Sequence, residues 1–196
     1  MALMAAVVAM DGPDERRQTI AAARAGDLAA FELLMRQHER LVLAVALRMT
    51  GNLEDAQDIS QEVFLRLYKN LAKVQAADAL PAWLYRVTIN ACHDLRRRKP
   101  ASAPVEMAGE LAAQETDAQT ILAQAERKRV LELSLGILPE KERAALVLRE
   151  LEGLSTGEVA RALGSSEATV RSQVSKARAK VHDFVERYFS PRKRRQ

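Results

Sequence analysis

Apolar residues recur at intervals of three and four along most of the chain, the spacing of one face of an α-helix. Over residues 28–49 the face is Phe31, Leu34, Met35, Val42, Val45, Ala46 and Met49, and Thr50-Gly51-Asn52 then breaks the helix. A second helix is predicted over 53–71, with Ile59, Val63, Leu67 and Leu71 as its seam and Glu54, Asp55, Asp58, Gln61, Glu62 and Arg66 on the other side. A third begins at Pro81, a residue suited to a first helical turn, and runs through Arg96, Arg97, Arg98 and Lys99 to a stop at Pro100. Its seam is Leu84, Val87, Ala91 and Leu95, and a second stripe of Trp83, Arg86, Asn90, Asp94 and Arg97 follows the same spacing.

Residues 156–180 read as a short helix, a tight turn and a longer helix. Val159, Ala160 and Leu163 share the face of the first, Gly164 stands where a helix stops by turning left-handed, and Ser165 and Ser166 can cap the next. Glu167 lies in the first turn of that helix, and Val170, Val174, Ala177 and Val181 form its buried seam. Thr169, Arg171, Ser172, Gln173, Ser175, Lys176 and Arg178 remain outside the seam, side-chain types that bond to base edges and phosphates from a helix able to enter a major groove. The pattern is that of a helix-turn-helix, although two short helices about a glycine also occur as plain structure.

Composition agrees with an all-α fold: among 196 residues aromatics make up only 4% and there are only 8 glycines. The single cysteine, Cys92, rules out an intramolecular disulfide and suits a reducing compartment. His38, His93 and His182 lie far apart, so no metal site is expected, and no phosphate-cradling glycine loop or nucleophile with its base is present. The apolar run at residues 1–10 is about half the length of a membrane span, and a partly disordered leader is expected over 1–24 with no membrane insertion.

Charge separates the chain into parts. Residues 1–100 carry a net +2, residues 101–125 a net −4 with no base, and residues 126–196 a net +6. The acidic middle mixes proline and alanine without periodicity, so the expected architecture is two small helical domains, 25–99 and 126–189, joined by a flexible acidic linker over 100–125 and followed by a basic tail over 190–196. Acids at the start of the second helix are good capping and dipole chemistry in themselves. Trp83 beside a basic cluster leans toward a second nucleic-acid surface, through stacking on unpaired bases and phosphate contact.

DAQDISQEVFLRLYKNL at 55–71, AWLYRVTINACHDLRRRK at 82–99 and LPEKERAALVLRELEGLSTGEVARALGSSEATVRSQVSKAR at 138–178 together resemble a bacterial RNA polymerase sigma factor of the sigma-70 family, in the extracytoplasmic-function group. The resemblance implies that the helix bearing Asp55, Asp58, Ile59, Gln61, Glu62, Phe64 and Arg66 docks on the polymerase core. It implies that Trp83, Arg86, Asn90, Asp94, Arg96 and Arg97, with Asp78 in the loop before them, open and read the minus-ten promoter element. Ser166, Thr169, Arg171, Ser172, Gln173, Lys176 and Arg178 would read the minus-thirty-five element. The implied partners are RNA polymerase core, promoter DNA and an anti-sigma factor, in the cytoplasm, with no cofactor and no catalytic residue in the chain itself.

Two departures stand out. The loop VQAADALP at 74–81 lacks the aromatic and Arg-Gly-Asp that many relatives carry, and Gln173 stands where arginine is common. Fully extended, the linker would reach roughly 85 to 95 Å, more than the roughly 70 Å between DNA sites two helical turns apart. An operator-binding regulator with an N-terminal sensing or dimerisation domain would explain the C-terminal half equally well, but leaves the acidic helix and the Trp83 stripe without roles. A scaffold protein would leave the basic face unexplained.

Overall fold

The computed structural model describes residues 12–74, 79–98 and 118–190. Its described residues are mostly helical and fall into two compact units, the first comprising residues up to Leu47 with Glu54–Arg98 and the second Arg48–Leu53 with the residues from Lys99 onward.

In the first unit, α1 (Pro13–Arg24) is followed by α2 (Leu28–Thr50), α3 (Leu53–Asn70), a 3-10 turn (Leu71–Lys73) and α4 (Leu80–Arg98). Asp27 starts α2, its carboxylate accepting from the Ala29 and Ala30 amides at 2.9 and 3.2 Å, two of the groups that a helix start leaves unpaired. Gly51, at φ 72°, makes the left-handed turn that ends α2. The seams meet as the periodicity requires. Leu34, Val42, Val45 and Ala46 of α2 are buried, as are Ile59, Val63 and Leu67 of α3 and Leu84 and Ala91 of α4.

The buried face of α4 is wider than its predicted seam: Tyr85, Thr88, Ile89 and Cys92 are also enclosed, and Val87 and Leu95 are only half-buried. Thr88 resolves its buried hydroxyl by donating to the Leu84 carbonyl at 2.8 Å.

The leader expected over 1–24 contains α1. Ile20 and Ala23 are its buried residues, and the Arg24 Nε donates to the Leu71 carbonyl of the 3-10 turn at 3.2 Å. So few apolar positions in so short a helix give no period to read, and its partner surface is supplied by tertiary contact. Residues 1–11, most of the linker and the tail from 191 onward lie outside the described residues.

In the second unit α5 (Ala118–Gly136) leads to α6 (Glu140–Leu146), which widens into a π turn over Val147–Leu151 before α7 (Thr156–Leu163) and α8 (Glu167–Phe189). The start of α5 lies inside the span expected as linker. Val147 and Leu148 of the π turn are fully buried, together with Ala144 and Ala145 of α6, Val159 of α7 and Val170 and Ala177 of α8.

Arg143 is buried among them, only 4% exposed. Its guanidinium donates to the Gly136 and Leu138 carbonyls at 2.9 and 3.1 Å, so the charge is hydrogen-bonded and the carbonyl that ends α5 and one in the turn after it gain a cationic partner.

Candidate nucleic-acid interface

The helix-turn-helix of α7 and α8 is defined at three points. Ser155 and Glu158 form a reciprocal capping box at the start of α7: the Ser155 amide donates to the Glu158 carboxylate at 2.8 Å, and the Glu158 amide donates to Ser155 Oγ at 3.3 Å. Hydrogen bonds from the Ser155 hydroxyl and amide hold the Glu158 carboxyl below its usual range. Gly164 ends α7 in the left-handed region at φ 60°, as its place in the sequence predicts. Ser166 is the cap of α8, accepting from the Thr169 amide at 3.1 Å, whereas the Ser165 hydroxyl is buried without a partner among the described residues.

With Val170, Val174 and Ala177 turned inward, α8 presents Thr169, Arg171, Ser172, Ser175 and Lys176 to solvent. Arg171 is steadied by Glu167 at 3.2 Å, a pair on the exposed face one turn apart. Arg178 is exposed but engaged, donating to Glu150 of the π turn at 2.6 Å, and Lys180 lies 2.9 Å from Glu142 of α6. The latter half of the basic stripe therefore braces α8 against its own domain. The outward-facing charges Arg171 and Lys176 lie in the first half of the helix, nearer the end that reads bases in this motif.

Gln173 departs from its expected placement. It is half-buried, and its Oε1 is enclosed without a hydrogen-bond partner. Bidentate pairing with adenine uses both amide atoms, so the side chain must rotate outward to read a base, and an unsatisfied buried carbonyl favours that rotation. Replacing Gln173→Arg is expected to move the preference at the base it faces from adenine toward guanine by about tenfold. Transcription from a library of randomised upstream promoter elements measures this, and an unchanged profile rejects base reading by Gln173.

In the first unit α4 carries the second candidate surface. Arg86, Asn90, Arg96 and Arg97 are exposed, Trp83 is half-buried, and Asp94 is 29% exposed by its side chain. The Asp94 carboxyl is held below the usual carboxylate range, first by the hydrogen bond from Arg97 and then by the charges of Arg97, Arg66 and Arg98. Asp78 lies outside the described residues.

The candidate docking face is on α3. Asp58 and Gln61 are exposed, Asp55 and Glu62 half-exposed, and Arg66 bonds Glu62 at 2.5 Å. Ile59 and Phe64 differ: at 2% and 5% exposure they are core residues, so any part they play in docking is to hold the helix rather than touch a partner. The solvent face instead contains Leu65 and Tyr68, 61% and 56% exposed, in line with Glu54, Asp58 and Gln61. Tyr68 meets Phe31 of α2 edge to face, ring centres 5.1 Å apart. The signal for both was present in the sequence as apolar residues off the buried seam of an otherwise polar helix face.

Family comparison joins these surfaces. The sigma-70 region 2 model matches residues 34–101, and the sigma-70 region 4 model matches residues 128–181. The ECF RNA polymerase sigma factor SigM of Mycobacterium tuberculosis is 33% identical over 178 residues, spanning 89% of this chain and 87% of that protein. The chain belongs to the extracytoplasmic-function sigma factors of the sigma-70 family. SigE of Mycolicibacterium smegmatis, also an ECF RNA polymerase sigma factor, is 32% identical over 183 residues, covering 90% of this sigma factor and 71% of SigE.

Among solved structures, CnrH in complex with the cytosolic domain of CnrY has a TM-score of 0.65 at 28% identity, over 88% of this chain and 97% of CnrH. The sigma factor RpoE of Bartonella quintana, solved with the anti-sigma factor NepR, shares the fold with a TM-score of 0.61 at 20% identity. Region 2 thus comprises most of α2 together with α3 and α4, and region 4 contains α6, the π turn, α7 and most of α8. The protein is a promoter-directing sigma factor. Among the described residues, no group of His, Cys, Asp and Glu could hold a metal ion, and no helix is long and apolar enough to cross a membrane.

Proposed function

We propose that this sigma factor divides promoter recognition between two domains whose surfaces are those built above. Residues 25–99, extended by α1 on the N-terminal side, dock on core polymerase through the exposed face of α3 and engage the minus-ten element through Trp83, Arg86, Asn90, Arg96 and Arg97. Residues 126–189 read the minus-thirty-five element through Arg171, Ser172, Gln173 and Lys176, with Thr169 and Ser166 shaping the start of α8. The observation that carries this reading is the coexistence, in one chain, of a helix-turn-helix whose second helix exposes Arg171 and Lys176 and a further helix bearing Trp83 and exposed arginines.

Duplex recognition explains the first surface, and contact with unpaired bases explains the second. The phosphodiester chemistry belongs to the polymerase, and the chain contributes recognition and strand opening in the cytoplasm. The complex of CnrH with the cytosolic domain of CnrY supports a protein partner for this chain as well, and membership of the family makes an anti-sigma factor the partner expected.

Run-off transcription with purified core polymerase tests the assignment. Added sigma factor is expected to direct initiation at a discrete promoter while binding the same duplex weakly by itself. Tight binding to duplex without initiation would instead identify an operator-binding regulator.

A further inference from the structure

Four charged side chains form an unbroken line across the face where α3 and α4 pack. Arg66 Nη2 lies 2.5 Å from Glu62 Oε1 and 3.7 Å from Asp94 Oδ2, while the other oxygen of Asp94, Oδ1, accepts from Arg97. Glu62 and Arg66 belong to the helix that faces the polymerase, and Asp94 and Arg97 to the helix that faces DNA. We propose that Asp94 is a positioning residue that withholds Arg97 from DNA phosphate in the free protein, and that docking at α3 releases it through Arg66. This rests on the reading of α3 and α4 given above.

The mechanism follows from sharing. Arg66 divides its charge between two carboxylates and sits closer to Glu62. A cationic group on a docked partner, the charge that an acidic helix face selects, competes with Arg66 for Glu62. Arg66 then turns fully to Asp94, whose hold on Arg97 weakens, and the guanidinium of Arg97, on a side chain 77% exposed, becomes available to a phosphate. By linkage, DNA that captures Arg97 leaves Asp94 to Arg66 and frees Glu62 for docking, so each partner strengthens the other. Ion pairs this exposed are individually weak, and the coupling is correspondingly about threefold.

The test uses the full chain and its holoenzyme with core polymerase, and a fluorescein-labelled forked DNA carrying an unpaired minus-ten strand, titrated over a range of salt. In the free chain, Asp94→Asn is expected to tighten binding about threefold. One added phosphate contact to an unpaired strand should also steepen the salt dependence of log K by about 0.7. Glu62→Gln, one helix away and clear of the DNA face, should reproduce the gain in the free chain by releasing Arg66. In holoenzyme the Asp94→Asn gain should vanish, and it should be absent at either stage when Arg97→Gln is also present.

A gain of equal size in holoenzyme, or one that survives Arg97→Gln, overturns the proposal. If Arg97→Gln weakens binding while Asp94→Asn and Glu62→Gln change nothing, the relay fails and the DNA-facing role of α4 stands. If Arg97→Gln itself has no effect, Arg97 makes no DNA contact and the relay falls with it.

Discussion

Reversing Asp58 to lysine and trimming Leu65 and Tyr68 to alanine should together cost this sigma factor at least a hundredfold, about 3 kcal/mol, in affinity for core polymerase. Leu65 and Tyr68 are large apolar side chains more than half exposed on a helix that already buries its own seam. Exposure on this scale leaves most of both side chains outside the core, and an aromatic braced edge-on by Phe31 enters an interface with little conformational freedom left to lose. Asp58 adds the charge that selects a cationic partner, and its reversal converts attraction into like-charge repulsion.

Each residue is solvent-facing, so the helix content and unfolding midpoint should stay near those of the parent chain. Competition for core against a labelled parent sigma factor measures the loss. A change below about threefold would place docking elsewhere on the domain.

The second large effect is on stability. Arg143→Met keeps much of the side-chain volume but removes the donors for the Met49, Gly136 and Leu138 carbonyls, leaving three backbone oxygens without a cationic partner in a packed region. Loss of hydrogen bonds from a buried charged group to the chain costs about 3 kcal/mol. The unfolding transition of the region 4 unit should therefore move to markedly lower urea, and transcription from promoters dependent on the upstream element should fall as the helix-turn-helix loses its support. Arg143→Lys should recover only part of the loss, because a single ammonium cannot reproduce the planar fork. An unmoved transition in the methionine variant would show that these carbonyls find other partners at no cost.

Both cases mark the boundary between what pattern reveals and what packing adds. The seam of α3 is read from Ile59, Val63 and Leu67 because burial on one side of a helix leaves a period in the sequence. The same period places Leu65 and Tyr68 off the seam, yet their importance is visible only once the structure shows that both stay more than half exposed among the described residues. Ile59 and Phe64 illustrate the converse. Both carry over from the family resemblance as docking residues, and both prove to be enclosed by the bundle. Arg143 looks like any helical arginine between alanines and glutamates, and its burial depends on the path of the chain from α5 into α6.

The amino-acid sequence by itself determined the helical class, the seams that pack the bundle, the left-handed stop at Gly164 and the helix-turn-helix it closes. These depend on residues within one or two turns of each other, and local spacing encodes them directly. Tertiary structure decided which cations remain free. It ties Arg178 to Glu150 and Lys180 to Glu142, turns the Gln173 carbonyl inward, and draws Arg66, Asp94 and Arg97 into one line. Most of those pairings join residues far apart in the chain, and they exist only because two helices meet at a particular rotation about their axes, which no periodicity within either helix specifies.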